Sequence, residues 1–242
     1  MEQQQAPIRG RRKKAAKKRP VIVPIHSEDK KGLDKHPPQD HPLSMRRGSR
    51  IALCAPPGHG KTSLAKQLLL WSRPFAAVVV ITGVGDHTAE WDKVVHTKTD
   101  FAEASENWWG AMSKKHGGKP IACVCDDLNY ADLGPKERSN AYKLVQFVAT
   151  HLNVTVVMCS HSWVQLIPRL RRACDTIVMW APASGGSDQL TYISRSLGLP
   201  KPLLSQAFEQ CEDKFTPIVV YTDPPEGRCT VMVGFDRPFY QA

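Results

Sequence analysis

The sequence predicts a three-layer α/β domain with a mostly parallel central sheet, carried behind a disordered basic N-terminal arm. Three observations predict it. Five short runs, RIALCA (50–55), AAVVVIT (76–82), PIACVC (120–125), VTVVMC (154–159) and TIVMW (176–180), are apolar almost throughout rather than alternating. Strands buried on both faces of a parallel sheet read this way. Helical candidates fall between them, so strand and helix alternate along the chain, as a sheet sandwiched by helices requires. The charge is also uneven: residues 1–50 carry 14 basic and 5 acidic side chains, a balance of +9, while the other 192 residues balance at +1. A uniformly basic coat around a folded body is thereby excluded, and with it a histone-like packing protein.

The elements follow in order. Residues 1–48 hold RGRRKKAAKKRP (9–20), prolines at 24, 37, 38 and 42 and few large apolar groups. Such a segment buries too little surface to offset its ordering entropy. The domain spans 49–242, long enough for one substantial core. After the first strand, SLAKQLLLW (63–71) has helical spacing; Gly83–Gly85 ends the second strand; 101–115, 136–152 and the short 163–172 segment are the next helical candidates. Beyond 181 come a glycine loop (184–187), helices over 188–197 and 203–211, and PIVVY, DPPEGR and CTVMVGF (217–235), which read as an antiparallel hairpin at one sheet edge.

The longest apolar stretch, Phe75 to Ile81, is far below the ~20 residues of a membrane-spanning helix. The apolar patch after the basic N-terminus is too short for a secretory signal. No membrane partner is expected, and the protein is expected to stay on the cytosolic side. Seven cysteines include no C-x-x-C pair, and Cys54, Cys123, Cys125 and Cys159 sit in the apolar strands, where thiols act as small hydrophobes.

The chemistry is concentrated at strand ends. APPGHGKT (55–62) matches a phosphate-binding loop with Ala55 in place of the first glycine, and it lies between an apolar strand and a helix. Gly58 and Gly60 let backbone N–H groups approach phosphates. Lys61 supplies a charge for the β- and γ-phosphates, the Thr62 hydroxyl is a Mg²⁺ ligand, and the following helix points its positive end at the anion. Pro57, Gly58, His59, Gly60, Lys61, Thr62 and Ser63 form the nucleotide cradle, with the His59 ring facing solvent. CVCDDL (123–128) is an apolar strand ending in acids, the Walker B requirement. Asp126 is placed to hold Mg²⁺ through water and Asp127 to polarise the attacking water, the alternative for Asp127 being a helix cap. ATP and Mg²⁺ are therefore the expected ligands.

A full strand between the two motifs implies the additional-strand class of P-loop ATPases, with a RecA-like core. In that class a further strand separates the two motif strands and ends in a polar sensor, here Ser160 or His161. The basic turn PRLRR (168–172) supplies an arginine finger to a neighbouring subunit, with Arg171 favoured, or contacts DNA phosphate, or is a solvated face. No guanine-reading N-K-x-D occurs.

These stretches together resemble the viral genome-packaging ATPases of the FtsK/HerA superfamily, the poxvirus- and tectivirus-type motors. RIALCAPPGHGKTSLAKQLL, VVVITG, CVCDDL, HLNVTVVMCSHSWVQLIPRLRRACDTIVMW (151–180) and FEQCEDKFTPIVVYTD carry the resemblance, which covers about residues 50–235. The family's sensor is usually Gln where this chain has Ser160 or His161. The resemblance implies a ring-forming motor that drives double-stranded DNA into a preformed capsid by ATP hydrolysis, with capsid or portal-vertex proteins as partners, inside a virion or host cell. An AAA-type remodelling or helicase-loading ATPase is the alternative, but the C-terminal hairpin stands where that class carries a helical lid. A nucleotide-binding DNA tether without motor activity is a third reading, at odds with the presence of both Lys61 and Asp126. The basic arm reads equally as a DNA tether with salt-dependent attraction and as a nuclear import signal, with a solubilising tail as the plain alternative. Pore contacts are expected from SKKHGGK (113–119).

Overall fold

The computed structural model describes residues 48–71, 75–82, 91, 97–181, 187–222, 231–235 and 237–240. The basic arm up to 47, the Gly83–Gly85 break, most of the 184–187 glycine loop and the DPPEGR turn lie outside the described residues. Each apolar run becomes a strand: β1 (Arg50–Cys54), β2 (Ala77–Thr82), β4 (Ile121–Asp126), β5 (Val154–Ser160) and β6 (Thr176–Met179). A short polar strand, β3 (Thr97–Thr99), adds an edge the apolar pattern does not announce. β7 (Ile218–Tyr221), β8 (Val231–Val233) and β9 (Arg237–Tyr240) complete one nine-stranded sheet, order β3-β2-β4-β5-β1-β6-β7-β8-β9. The six strands from β3 to β6 run parallel, and β7, β8 and β9 are antiparallel. The expected hairpin is thus present and gains a third strand.

The helices are α1 (Lys61–Trp71), α2 (Glu106–Lys115), α3 (Pro135–Lys143), which passes through a π-helical turn at Leu144–Val148 into α4 (Ala149–His151), α5 (Pro168–Arg171), α6 (Ser187–Leu197) and α7 (Lys201–Glu209). α2 starts later than its apolar spacing suggests. Ser105 takes the N-cap, its hydroxyl accepting from the Trp108 N–H, and residues 101–103 form a turn instead.

The pleat sends alternate residues of each strand to opposite faces. Ala52 and Cys54 of β1 and Cys123 and Cys125 of β4 enter the larger core, with Trp109 of α2, Leu144, Ile193 of α6 and Leu204 of α7. Ile51 and Leu53 of β1 and Ala122 and Val124 of β4 enter the smaller core, beneath Leu64, Leu68 and Leu69 of α1. Helices cover both faces, which makes the three layers. Among the described residues no helix is long and apolar enough to cross a membrane.

Candidate functional site

Parallel strands deliver their C-terminal ends to one edge of the sheet, and the phosphate-loop residues meet the acids there. β1 runs into the loop at Ala55, whose N–H donates to the Ser160 carbonyl at 3.1 Å, tying the loop to the end of β5. Gly58 and Gly60 have φ of +73° and +86°. An added Cβ would meet no protein atom within 4 Å at either, so backbone conformation is what demands glycine here. His59 folds back on the loop, its Nδ1 3.0 Å from the Pro57 carbonyl oxygen.

Lys61 is buried, and its ammonium donates to the Ala55 and Pro56 carbonyls at 2.7 and 3.1 Å. Burial pulls its pKa below the ordinary lysine range, a pull only partly offset by the nearby Asp126 and Asp127 carboxylates.

By the pleat, Asp126 follows Ala122 and Val124 onto the α1 face. That register brings its carboxylate to the start of α1, where the Thr62 hydroxyl donates to Oδ1 and Oδ2 at 3.3 and 3.2 Å. A second donor comes from a residue the motif reading missed: Trp91, buried, donates from Nε1 to Asp126 Oδ2 at 2.9 Å, and Lys66 lies 5.2 Å above its ring. The one sequence signal was a lone tryptophan in an otherwise polar stretch. The Cys159 thiol also borders Asp126. Burial, then that carboxylate, pushes its pKa well above the usual thiol value. A hydroxyl and a carboxylate converging at a helix N-terminus form an all-oxygen set that fits a hard divalent cation such as Mg²⁺.

Asp127 adopts φ +50°, a left-handed conformation uncommon outside glycine but accessible to Asp. This turns its side chain away from that of Asp126 and toward His161, whose Nε2 lies 3.1 Å from Asp127 Oδ1. His161 Nδ1 is 3.5 Å from the Lys61 ammonium. With the Lys61 ammonium as donor, Nδ1 is the acceptor and Nε2–H donates to Asp127. Lys61, His161 and Asp127 form one chain of contacts.

The same pleat separates the two sensor candidates. Ser160 follows Val156 and Met158 toward the larger core, is buried, and donates its hydroxyl to the Ser162 carbonyl at 2.9 Å. It closes a turn, and His161 is the residue brought to the site.

Arg171 is not among the residues brought to this chain's own site. It is 7% exposed, with its guanidinium 4.7 Å from the Tyr192 ring and 5.9 Å from the Trp163 ring of its own chain. Arg169 and Arg172 are the exposed arginines of this turn. SKKHGGK lies exposed at the α2 C-terminus, just before the N-terminal end of β4 and so at the opposite sheet edge from the phosphate loop.

The strand order, with β5 between β1 and β4, together with this loop, defines a P-loop NTPase fold of the additional-strand class. No family model and no curated protein matches the chain. Among solved structures it is similar to the genome packaging NTPase B204 of Sulfolobus turreted icosahedral virus 2 in complex with ATPγS (TM-score 0.54, 14% identity, 78% of this chain and 98% of that one). It is also similar to B204, the DNA-packaging ATPase of Sulfolobus turreted icosahedral virus (TM-score 0.51, 14% identity, 74% and 94%). The cytoplasmic domain of the Thermomonospora curvata type VII secretion ATPase EccC matches over 81% of this chain but 26% of its own length (TM-score 0.54, 14% identity).

Proposed function

We propose that this chain is the ATP-hydrolysing subunit of a motor that moves double-stranded DNA into a preformed capsid. The observation that carries the reading is the convergence at one sheet edge of Lys61 and Thr62 from the α1 N-terminus, Asp126 and Asp127 from the end of β4 and His161 from the end of β5. The fold's likeness to B204, described as a DNA-packaging ATPase, supports the choice of DNA as cargo. The basic arm supplies long-range attraction to its phosphates.

The N–H groups of 58–63 and the Lys61 ammonium hold the ATP phosphates, the lysine exchanging its two carbonyl partners for them. Thr62 and Asp126 would hold Mg²⁺, with Trp91 fixing the carboxylate's orientation. Mg²⁺, when bound, neutralises charge developing on the β- and γ-phosphate oxygens. Asp127 accepts the proton of the attacking water, and His161 fixes its orientation while sensing Lys61. A ring of copies completes the site with an arginine from the neighbour. Arg169, exposed on the same turn as Arg171, is the candidate. Capsid or portal-vertex proteins hold the ring in place, within a virion or host cell. The arm adds a tether or, in a eukaryotic host, nuclear import.

The test is ATP turnover of the full chain against added duplex DNA at low salt, repeated without residues 1–48. Stimulation by duplex, weakened by removing the arm, is expected. Turnover indifferent to any nucleic acid would favour a remodelling ATPase instead.

A further inference from the structure

A cavity of about 600 Å³ lies beside α5 and α6 and against the end of β7. Three arginines line it, Arg171 and Arg172 from the α5 turn and Arg195 from α6, with the aromatic walls of Trp163 and Tyr192. No described lining residue is acidic. It is distinct from the phosphate loop, none of whose residues line it. β7 pairs antiparallel with β6, Tyr221 opposite Thr176, so the Tyr221–Thr222 wall stands at the N-terminal end of β6. The phosphate loop lies at the C-terminal ends of the parallel strands.

Arg171 is the informative group. It is more than nine-tenths buried, yet its one side-chain hydrogen bond among the described residues is a long 3.5 Å contact from Nη1 to the Trp163 carbonyl. Two ring faces attract the cation but use none of its N–H donors in line. No carboxylate pairs with Arg171, Arg172 or Arg195 among the described residues. A buried charge without a counter-charge is costly, and two further like charges at the same cavity raise that cost. A bound anion removes both penalties.

We propose that this cavity binds a small phosphate-bearing anion. Several guanidinium forks around one space suit a tetrahedral, multiply charged oxyanion better than a single carboxylate, which one fork would satisfy. Arg171 sits recessed between Tyr192 and Trp163, where a free phosphate can reach it and a duplex backbone meets only the rim arginines. Trp163 lies two residues past His161, so an occupant also holds the segment that presents His161 to the ATP site.

The test is calorimetric titration of the full chain carrying Lys61→Ala, which removes the phosphate-loop lysine, with inorganic pyrophosphate. A single equivalent is expected to bind. Its affinity should fall about tenfold or more in each of Arg172→Ala and Arg195→Ala, both exposed positions, and also in Arg171→Lys, which keeps the charge and loses the fork. A short DNA duplex added to the loaded protein should leave the pyrophosphate in place. No uptake by the Lys61→Ala chain, or uptake unchanged by Arg172→Ala with Arg195→Ala, would overturn the proposal. Stoichiometric displacement by the duplex would do so too, assigning the cavity to the DNA backbone.

Discussion

Lys61 and Arg171 are both buried cations, 9% and 7% exposed, and both come from stretches that read in sequence as catalytic. Their surroundings differ in kind. Lys61 faces carbonyl oxygens, the imidazole of His161 and the carboxylates of Asp126 and Asp127. Arg171 faces two aromatic rings and a cavity of its own charge sign. The first is poised to exchange its partners for phosphate in the fold's nucleotide site. The second is packed between Tyr192 and Trp163 of its own chain and lines a separate cavity. Basic residues near a motif are thus sorted by what they touch, which their sequence positions do not disclose.

The contrast is sharpest in turnover. Lys61→Ala is expected to lower ATP hydrolysis by about 10³-fold, in line with removal of a preorganised charge at a phosphoryl centre. If Arg171 were a finger, Arg171→Met would bring a comparable loss in a fully folded ring. His161→Ala should slow turnover about tenfold to a hundredfold with little change in KM, because Asp127 then loses its orienting donor. His161→Gln, which can still donate to Asp127, should recover much of that loss, while Ser160→Ala should leave the rate nearly unchanged. Steady-state kinetics of the three variants separate the two sensor candidates.

A smaller effect tests the metal side of the site. Trp91→Phe keeps the buried ring and removes the donor to Asp126, so the Mg²⁺ concentration for half-maximal turnover should rise about tenfold. Arg171→Met loses two cation–π contacts but also removes a buried cation from beside two like charges, so its stability in denaturant unfolding should change by less than about 1 kcal/mol.

Lys61 also carries a pH signature. Its folded pKa lies below its unfolded value because of burial, so across that window the unfolded state binds more protons and stability rises with pH. Lys61→Met should raise the melting temperature of the nucleotide-free protein at neutral pH and flatten its rise toward alkaline pH. Thermal unfolding at a series of pH values reads both.

The parallel core and the phosphate loop were legible because burial on both faces leaves unbroken apolar runs, and because a loop that binds phosphate through its backbone needs glycines and a lysine at fixed spacing. β3 and β9 were not. TKT is polar and RPFY has only two aromatic residues after its proline, too short to read as a strand, and sheet edges are held largely by pairing to a neighbour. Asp126 was legible as a strand-end acid. Its partner Trp91 was not, since 35 positions separate them and only the folded chain brings them together. Ser160 and His161 looked equivalent in sequence. A one-residue step along a pleated strand reverses the direction of the side chain, and that step decided between them.

The ATP-hydrolysing centre proposed at Asp126 and Lys61 is tested most directly by steady-state ATP hydrolysis by the full chain and by Asp126→Asn. The unmodified chain should turn over ATP in the presence of Mg²⁺, and Asp126→Asn should fall to background while still binding nucleotide. Hydrolysis by Asp126→Asn at the unmodified rate, or none by the unmodified chain with duplex DNA present, would contradict it.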